Sequence, residues 1–151
     1  MPVTDDEVAV LRAHLAGDQV RYRELYGRLD RSAATRTTYS LLITAAFMEA
    51  VERRFAGNGT AADVISYVAD VRSRSDDVAE ALDARAAERL IRDVLTDEET
   101  ADIDGKTRGQ VYIIVLSALV SDERFDDAGL DAFLATAREK ADDYLARRTG
   151  S

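Results

Sequence analysis

Apolar residues recur three and four positions apart along nearly the whole chain, and short polar intervals break the recurrence at regular spacing, which is the signature of successive amphipathic helices. Thr4-Asp5-Asp6-Glu7 has the form of a capping box: a hydroxyl placed to cap exposed amides and a glutamate placed to reach back. Val8, Leu11 and Leu15 then line one face of a first helix, and Gly17 ends it. Tyr22, Leu25, Tyr26 and Leu29 repeat at i, i+3, i+4 and i+7. They predict a second helix despite Gly27, which costs about 1 kcal/mol relative to alanine. Asp30 to Ser32 make a break. Over 34–56 a wide stripe of Tyr39, Leu42, Ile43, Ala46, Phe47, Ala50, Val51 and Phe55 predicts a long central helix.

Gly57-Asn58-Gly59 supplies left-handed geometry to close that helix, and Thr60 can cap the next, with Val64, Tyr67, Val68 and Val71 inward. Ser73 to Asp77 interrupt the pattern, and Leu82, Ala86, Leu90, Ile91, Val94 and Leu95 resume it. Thr96-Asp97-Glu98-Glu99 reads as a second capping box, opening a short turn that ends near Gly105. The run QVYIIVLSALV at 110–120 is apolar on every side, which suits a buried helix or a buried strand. No second segment could pair with it, and a lone buried strand would leave its backbone groups unsatisfied, so a helix is expected. A last helix over 127–147 carries Leu130, Phe133, Leu134, Ala137, Ala141, Tyr144 and Leu145, with a charged opposite face, and ends on Arg147 and Arg148.

The expected fold is therefore all-α: a single-domain bundle of six or seven helices over 1–149, built around a buried central helix at about 110–120. Gly150-Ser151 reads as a cloning remnant. Leu42, Phe47, Val51, Val68, Leu90, Val94, Ile114, Leu116, Leu119, Phe133 and Leu134 are the expected core.

Composition narrows the chemistry. With 151 residues, 46% hydrophobic and 32% charged, the chain can bury a core without staples. The absence of cysteine removes disulfides, thiolate zinc sites and a cysteine nucleophile, and suits a reducing compartment. MPVTDDEVAV has no basic stretch followed by an apolar one, so no signal peptide is expected, and the run at 111–120 is half the roughly 20 residues that span a bilayer. A cytoplasmic protein with no membrane contact is the expectation. The net charge of −9 is uneven: residues 1–75 carry ten basic and ten acidic side chains, and 76–151 carry ten basic against nineteen acidic. An acidic second half repels phosphate backbones, so nucleic acid could engage only the N-terminal half.

The candidate constellations are few. Asp102-Ile103-Asp104-Gly105 begins like a calcium loop, but with Gly105 at position six the twelfth position falls on Val111, where a glutamate is required. A solvated helix-capping loop is the alternative. Glu49 and Glu52 have the i, i+3 spacing of di-iron bundles, yet those sites also need Glu-x-x-His pairs, and His14 is the only histidine. The alternative is a solvated face with Arg53 and Arg54. His14 beside Leu15 reads as a boundary residue of an amphipathic helix. Neither a cofactor, a metal nor a catalytic group is expected, although carboxylate- or tyrosine-based catalysis stays open.

The best positive lead is Arg21-Tyr22-Arg23-Glu24-Leu25-Tyr26-Gly27-Arg28-Leu29-Asp30-Arg31, continued by Arg36. Arginines interleaved with aromatics suit an anion, a nucleic acid or a charged protein partner, and the helix, break and helix over 19–40 loosely resemble a helix-turn-helix. Arg21, Arg23, Arg28, Arg31 and Arg36 are the candidate interaction surface; the alternative is a solvated face, with Tyr22 and Tyr26 packing beside Leu25 and Leu29 and the arginines turned to solvent. The function expected is a non-catalytic helical protein–protein interaction module that self-associates, with homodimers expected. The alternative is a small regulator that contacts nucleic acid or another phosphate anion through 19–40.

Overall fold

Every regular element found in the computed structural model is an α-helix, so the all-α class read from the periodicity holds. The structure describes residues 2–56 and 59–149. The expected turn at Gly57-Asn58 and the remnant at Gly150-Ser151 lie outside the described residues. Among the described residues there are eight helices: α1 (Asp5–Leu15), α2 (Gln19–Arg28), α3 (Ala33–Arg54), α4 (Ala61–Arg72), α5 (Asp76–Ala81), α6 (Ala84–Thr96), α7 (Gly105–Glu123) and α8 (Asp127–Thr149). The count exceeds six or seven because α5 forms from Asp76, inside the expected interruption at 73–77, and ends before Leu82, where the pattern is expected to resume. The Ser75 side chain accepts the Val78 N–H to start α5, and Asp83 accepts the Ala86 N–H to start α6.

The chain divides into two units, Met1–Glu49 with Glu123–Ser151, and Ala50–Asp122. In the first, the Thr4 hydroxyl accepts the Glu7 N–H at 3.2 Å and Glu7 Oε1 accepts the Thr4 N–H at 2.9 Å, completing the expected capping box. Glu7 does more than cap. It is 1% exposed, and its Oε2 accepts the Thr38 hydroxyl, tying the start of α1 to α3. The Val3 N–H donates to Asp142 and Arg138 donates to the Val3 carbonyl, fastening the same end to α8. Arg12 joins α1 to α8 through Asp131 at 2.6 Å. Gly17 ends α1 at φ +77°, a left-handed conformation that favours glycine, and the Asp18 N–H reaches back to the Ala13 carbonyl. Val10, Leu11, Leu42, Phe47, Phe133 and Leu134 are buried in this unit.

In the second unit α4 buries Val64, Tyr67, Val68 and Val71, as its spacing predicts, and packs with α5 and α6. α6 buries Ala86, Ala87, Leu90 and Ile91. The second capping box does not form. Thr96 is the last residue of α6, its hydroxyl donating to the Arg92 carbonyl, because Asp97 turns left-handed at φ 56° and terminates the helix there. α7 covers the expected helix at 110–120, but its burial is one-sided. Val111, Val115, Leu116, Leu119 and Val120 are buried, while Ile113 and Ile114 are half-buried. Val94 is half-buried too, so Val94 and Ile114 leave the expected core and its other members remain. No described helix is long and apolar enough to cross a membrane.

Candidate interaction surface

α2 is the least buried long helix of the first unit. None of its ten residues is buried: Tyr22 and Leu25 are half-buried, and Tyr26 and Val20 are exposed. It leans on α1 through a row of rings. His14 and Tyr22 centroids lie 5.2 Å apart, Tyr22 and Tyr26 lie 5.6 Å apart, and the Arg31 guanidinium stands 6.0 Å from the Tyr26 centroid. Burial lowers the pKa of His14 and raises that of Tyr22. Tyr39, on the next helix, is raised further, by burial first and then by the neighbouring Tyr22, Tyr26 and Glu7.

The corner between α2 and α3 is set by short polar side chains. Asp30 accepts the Ser32 N–H at 2.9 Å, and the Ser32 hydroxyl accepts the Thr35 N–H at 3.2 Å, which starts α3. This corner frames a cleft of about 180 Å³ lined by Tyr26, Leu29, Asp30, Arg31, Thr35, Arg36 and Tyr39, the Asp30 carboxylate being held by the Ser32 N–H. A second hollow of about 410 Å³ lies along α3 and the end of α8, lined by Arg36, Thr37, Ser40, Leu41 and Arg148. Arg36 is common to both. The Arg148 guanidinium stands 5.8 Å from the centroid of exposed Tyr144.

Of the five arginines singled out in the sequence, Arg31 and Arg36 are therefore brought together. Arg28 is held at 3.3 Å by Glu24, one turn away, and Arg21 and Arg23 are exposed on α2 and line neither hollow. Arg148 and Tyr144 join the surface without having been foreseen. Only their position at the pole of a terminal helix was legible, and nothing local in the sequence places that pole beside Arg36.

The other constellations are occupied by the protein's own contacts. In the second unit the Tyr67 hydroxyl donates to Asp122 Oδ2 at 2.9 Å, and Arg74 grips both Asp122 oxygens at 2.9 Å. Burial works to raise the Asp122 pKa, but hydrogen bonds from Arg74 and Tyr67 and the charge of Arg74 outweigh it and hold the carboxyl below its ordinary value. Burial, then the bond to Asp122, raises the Tyr67 pKa. Arg54 lies over the rings of Phe55 and Tyr67, at 5.4 and 5.1 Å, beside a cavity of about 480 Å³. Arg54 is thus more than a solvated charge, and Glu49, whose side chain is 17% exposed, takes Lys140 at 2.6 Å.

Asp102 receives Arg89 at 2.7 and 2.8 Å, which draws its pKa down to about 2, and Asp104 caps α7 at the Thr107 N–H. Among the described residues no cluster of three or more histidine or carboxylate side chains is placed to hold a metal. Comparison with family models, curated proteins and solved structures finds no match to this chain.

Proposed function

We propose that this protein is a non-catalytic helical interaction module that self-associates through the α2 side of its first unit. The observation that carries the reading is α2 itself, a ten-residue helix with no buried residue. An amphipathic helix draws its stability from burying a face, so one that buries only half a face gains from a partner. Four of the five large apolar side chains most exposed among the described residues, Val20, Tyr26, Met48 and Tyr144, lie in this unit, which makes it the sticky one. A non-catalytic role is supported by the side chains with catalytic potential being spent on packing: Tyr67 is 5% exposed and bound to Asp122, and His14 packs at a tilt against Tyr22. The cysteine-free composition suits the cytoplasm, where we place it.

Hydrogen exchange at two protein concentrations tests the reading. The α2 amides are expected to exchange rapidly in dilute solution and to slow as concentration rises, while the amides of α4 stay constant. Exchange in α2 that is independent of concentration rejects self-association through this helix.

A second reading, contact with nucleic acid or another phosphate anion through 19–40, draws support from Arg31 over the Tyr26 ring with Arg36 across the same cleft. The net charge of −9 works against it. Fluorescence anisotropy with a labelled single strand decides: binding that falls steeply with salt and is lost in Arg31→Glu would establish it.

A further inference from the structure

We propose that the arginine surface of α2, α3 and α8 docks onto the acidic α5 of a second copy of this chain, Arg31, Arg36 and Arg148 receiving Asp76, Asp77 and Glu80. The proposal rests on the self-association reading and names the two surfaces that meet.

These guanidinium groups are available. Arg31, Arg36 and Arg148 make no ion pair among the described residues, whereas Arg12, Arg28, Arg74, Arg89, Arg92 and Arg138 each hold a carboxylate. Arg31 and Arg148 are steadied over Tyr26 and Tyr144, so they lose little side-chain freedom when a carboxylate arrives, and Arg36 lines both hollows between them. Arginine and tyrosine on a shallow cleft are the residue types that carry binding energy in protein interfaces.

The complementary surface is on the same chain. Ala50–Asp122 carry fifteen carboxylates against nine basic side chains, so this unit holds most of the acidic excess. Its acids are not equally free. In the segment 97–104, Glu98 takes Arg92, Asp102 takes Arg89, Asp104 caps α7 and Glu99 accepts the Ala101 N–H. In α5, by contrast, Asp76, Asp77 and Glu80 are exposed and make no side-chain hydrogen bond or ion pair among the described residues. Asp76 and Glu80 are four apart and Asp77 and Glu80 three apart, so one helical face presents all three about one turn from each other. Between Arg74 and Arg85 the sequence has no basic residue, and Arg72, which does reach α5, donates to the Ala79 and Leu82 carbonyls rather than to its carboxylates.

A two-fold pair of molecules would make the contact twice, each giving its arginine surface and its α5 to the other. Exposed pairs of this kind contribute little one at a time, so the attraction comes from three arginines meeting three carboxylates over a partly apolar cleft, and it weakens with salt.

Charge reversal on each side, followed by mixing, tests the pairing. One variant carries Arg31→Glu, Arg36→Glu and Arg148→Glu; the other carries Asp76→Arg, Asp77→Arg and Glu80→Arg. Sedimentation velocity is expected to show each variant alone associating at least about tenfold more weakly than wild type, because like charges now face each other at both contacts. An equimolar mixture recovers wild-type association, since both contacts in the mixed pair are again opposite in sign. If both variants dimerise as wild type does, self-association stands and this pairing of surfaces is wrong. If they fold by circular dichroism but the mixture stays monomeric, the pairing is likewise wrong. A wild type that is monomeric throughout removes the self-association reading and this inference with it. Should a triple variant fail to fold, the wild type alone still decides: association that is unchanged between about 0.05 and 0.5 M salt overturns the charge pairing.

Discussion

Replacing Tyr67 with Phe should cost the protein about 1–1.5 kcal/mol, and the structure sets that figure from both sides. The ring is 5% exposed and meets Phe55 edge-on at 5.9 Å, so Phe keeps the packing and removes only the hydroxyl. That hydroxyl donates at 2.9 Å to a charged acceptor, a class of bond that contributes about 1.5–3 kcal/mol. The Asp122 side chain is 34% exposed and still has both Arg74 contacts, so water and Arg74 make good part of the loss and place the effect at the lower end. Urea unfolding of Tyr67→Phe should show a lower midpoint with an unchanged slope, and the melting temperature should fall by about 2–6 °C.

The same substitution in an Asp122→Ala background should cost at least about 0.5 kcal/mol less, the difference being the coupling between the two side chains. Acid makes an independent test. The folded chain holds the Asp122 carboxyl below its ordinary value of 3.8, so it binds that proton less readily than the unfolded chain does. The stabilisation is complete above the unfolded value and drains away as pH falls through the folded one. Tyr67→Phe should flatten that acid limb. A Tyr67→Phe protein within about 0.3 kcal/mol of wild type, or equal losses with and without Asp122, would mean that the hydroxyl's bond to Asp122 does not stabilise the fold.

His14 is the only histidine, so its ring protons give one NMR titration; burial against Tyr22 should place its midpoint below 6.5, and stability should decline as pH drops below that value, because the unfolded chain takes the proton first. Leu116→Ala should cost about 2–4 kcal/mol in urea unfolding and Ile114→Ala about half as much, since Leu116 is fully buried and Ile114 only half; equal losses would restore α7 as a helix buried all round. Glu7→Ala removes the acceptor of the Thr4 N–H, one half of the α1 capping box, and the tie to Thr38; the Thr4 hydroxyl still caps the helix and Thr38 can still donate to the Ala34 carbonyl, so the loss should be about 1–2 kcal/mol.

The helices were legible because their signals are local. The i, i+3, i+4 spacing of Val64, Tyr67, Val68 and Val71 gave α4 its buried face, and Thr4 with Glu7 and Thr60 ahead of α4 marked true starts. Thr96 misled because a Thr-Asp-Glu-Glu sequence fits the start of a helix, while the end of α6 depends on Asp97 turning left-handed, which any short polar residue can do. The all-apolar run at 110–120 named a helix but not its sidedness, since an apolar side chain looks the same whether fully or half covered. On the candidate surface, Arg31 and Arg36 were legible as a pair because they flank one turn. The contributions of Arg148 and Tyr144 were not, because they depend on where the end of α8 lies. The same holds for the clamp of Tyr67 and Arg74 on Asp122, which joins residues 55 and 48 positions apart.

Sedimentation equilibrium of the wild-type protein, from low micromolar to several hundred micromolar in low salt, decides whether the chain self-associates. The average mass is expected to rise with concentration from the 16.6 kDa of one chain toward twice that value. A single species of one-chain mass across the whole range would contradict it, and would return the arginine and tyrosine face to the role of a solvated surface.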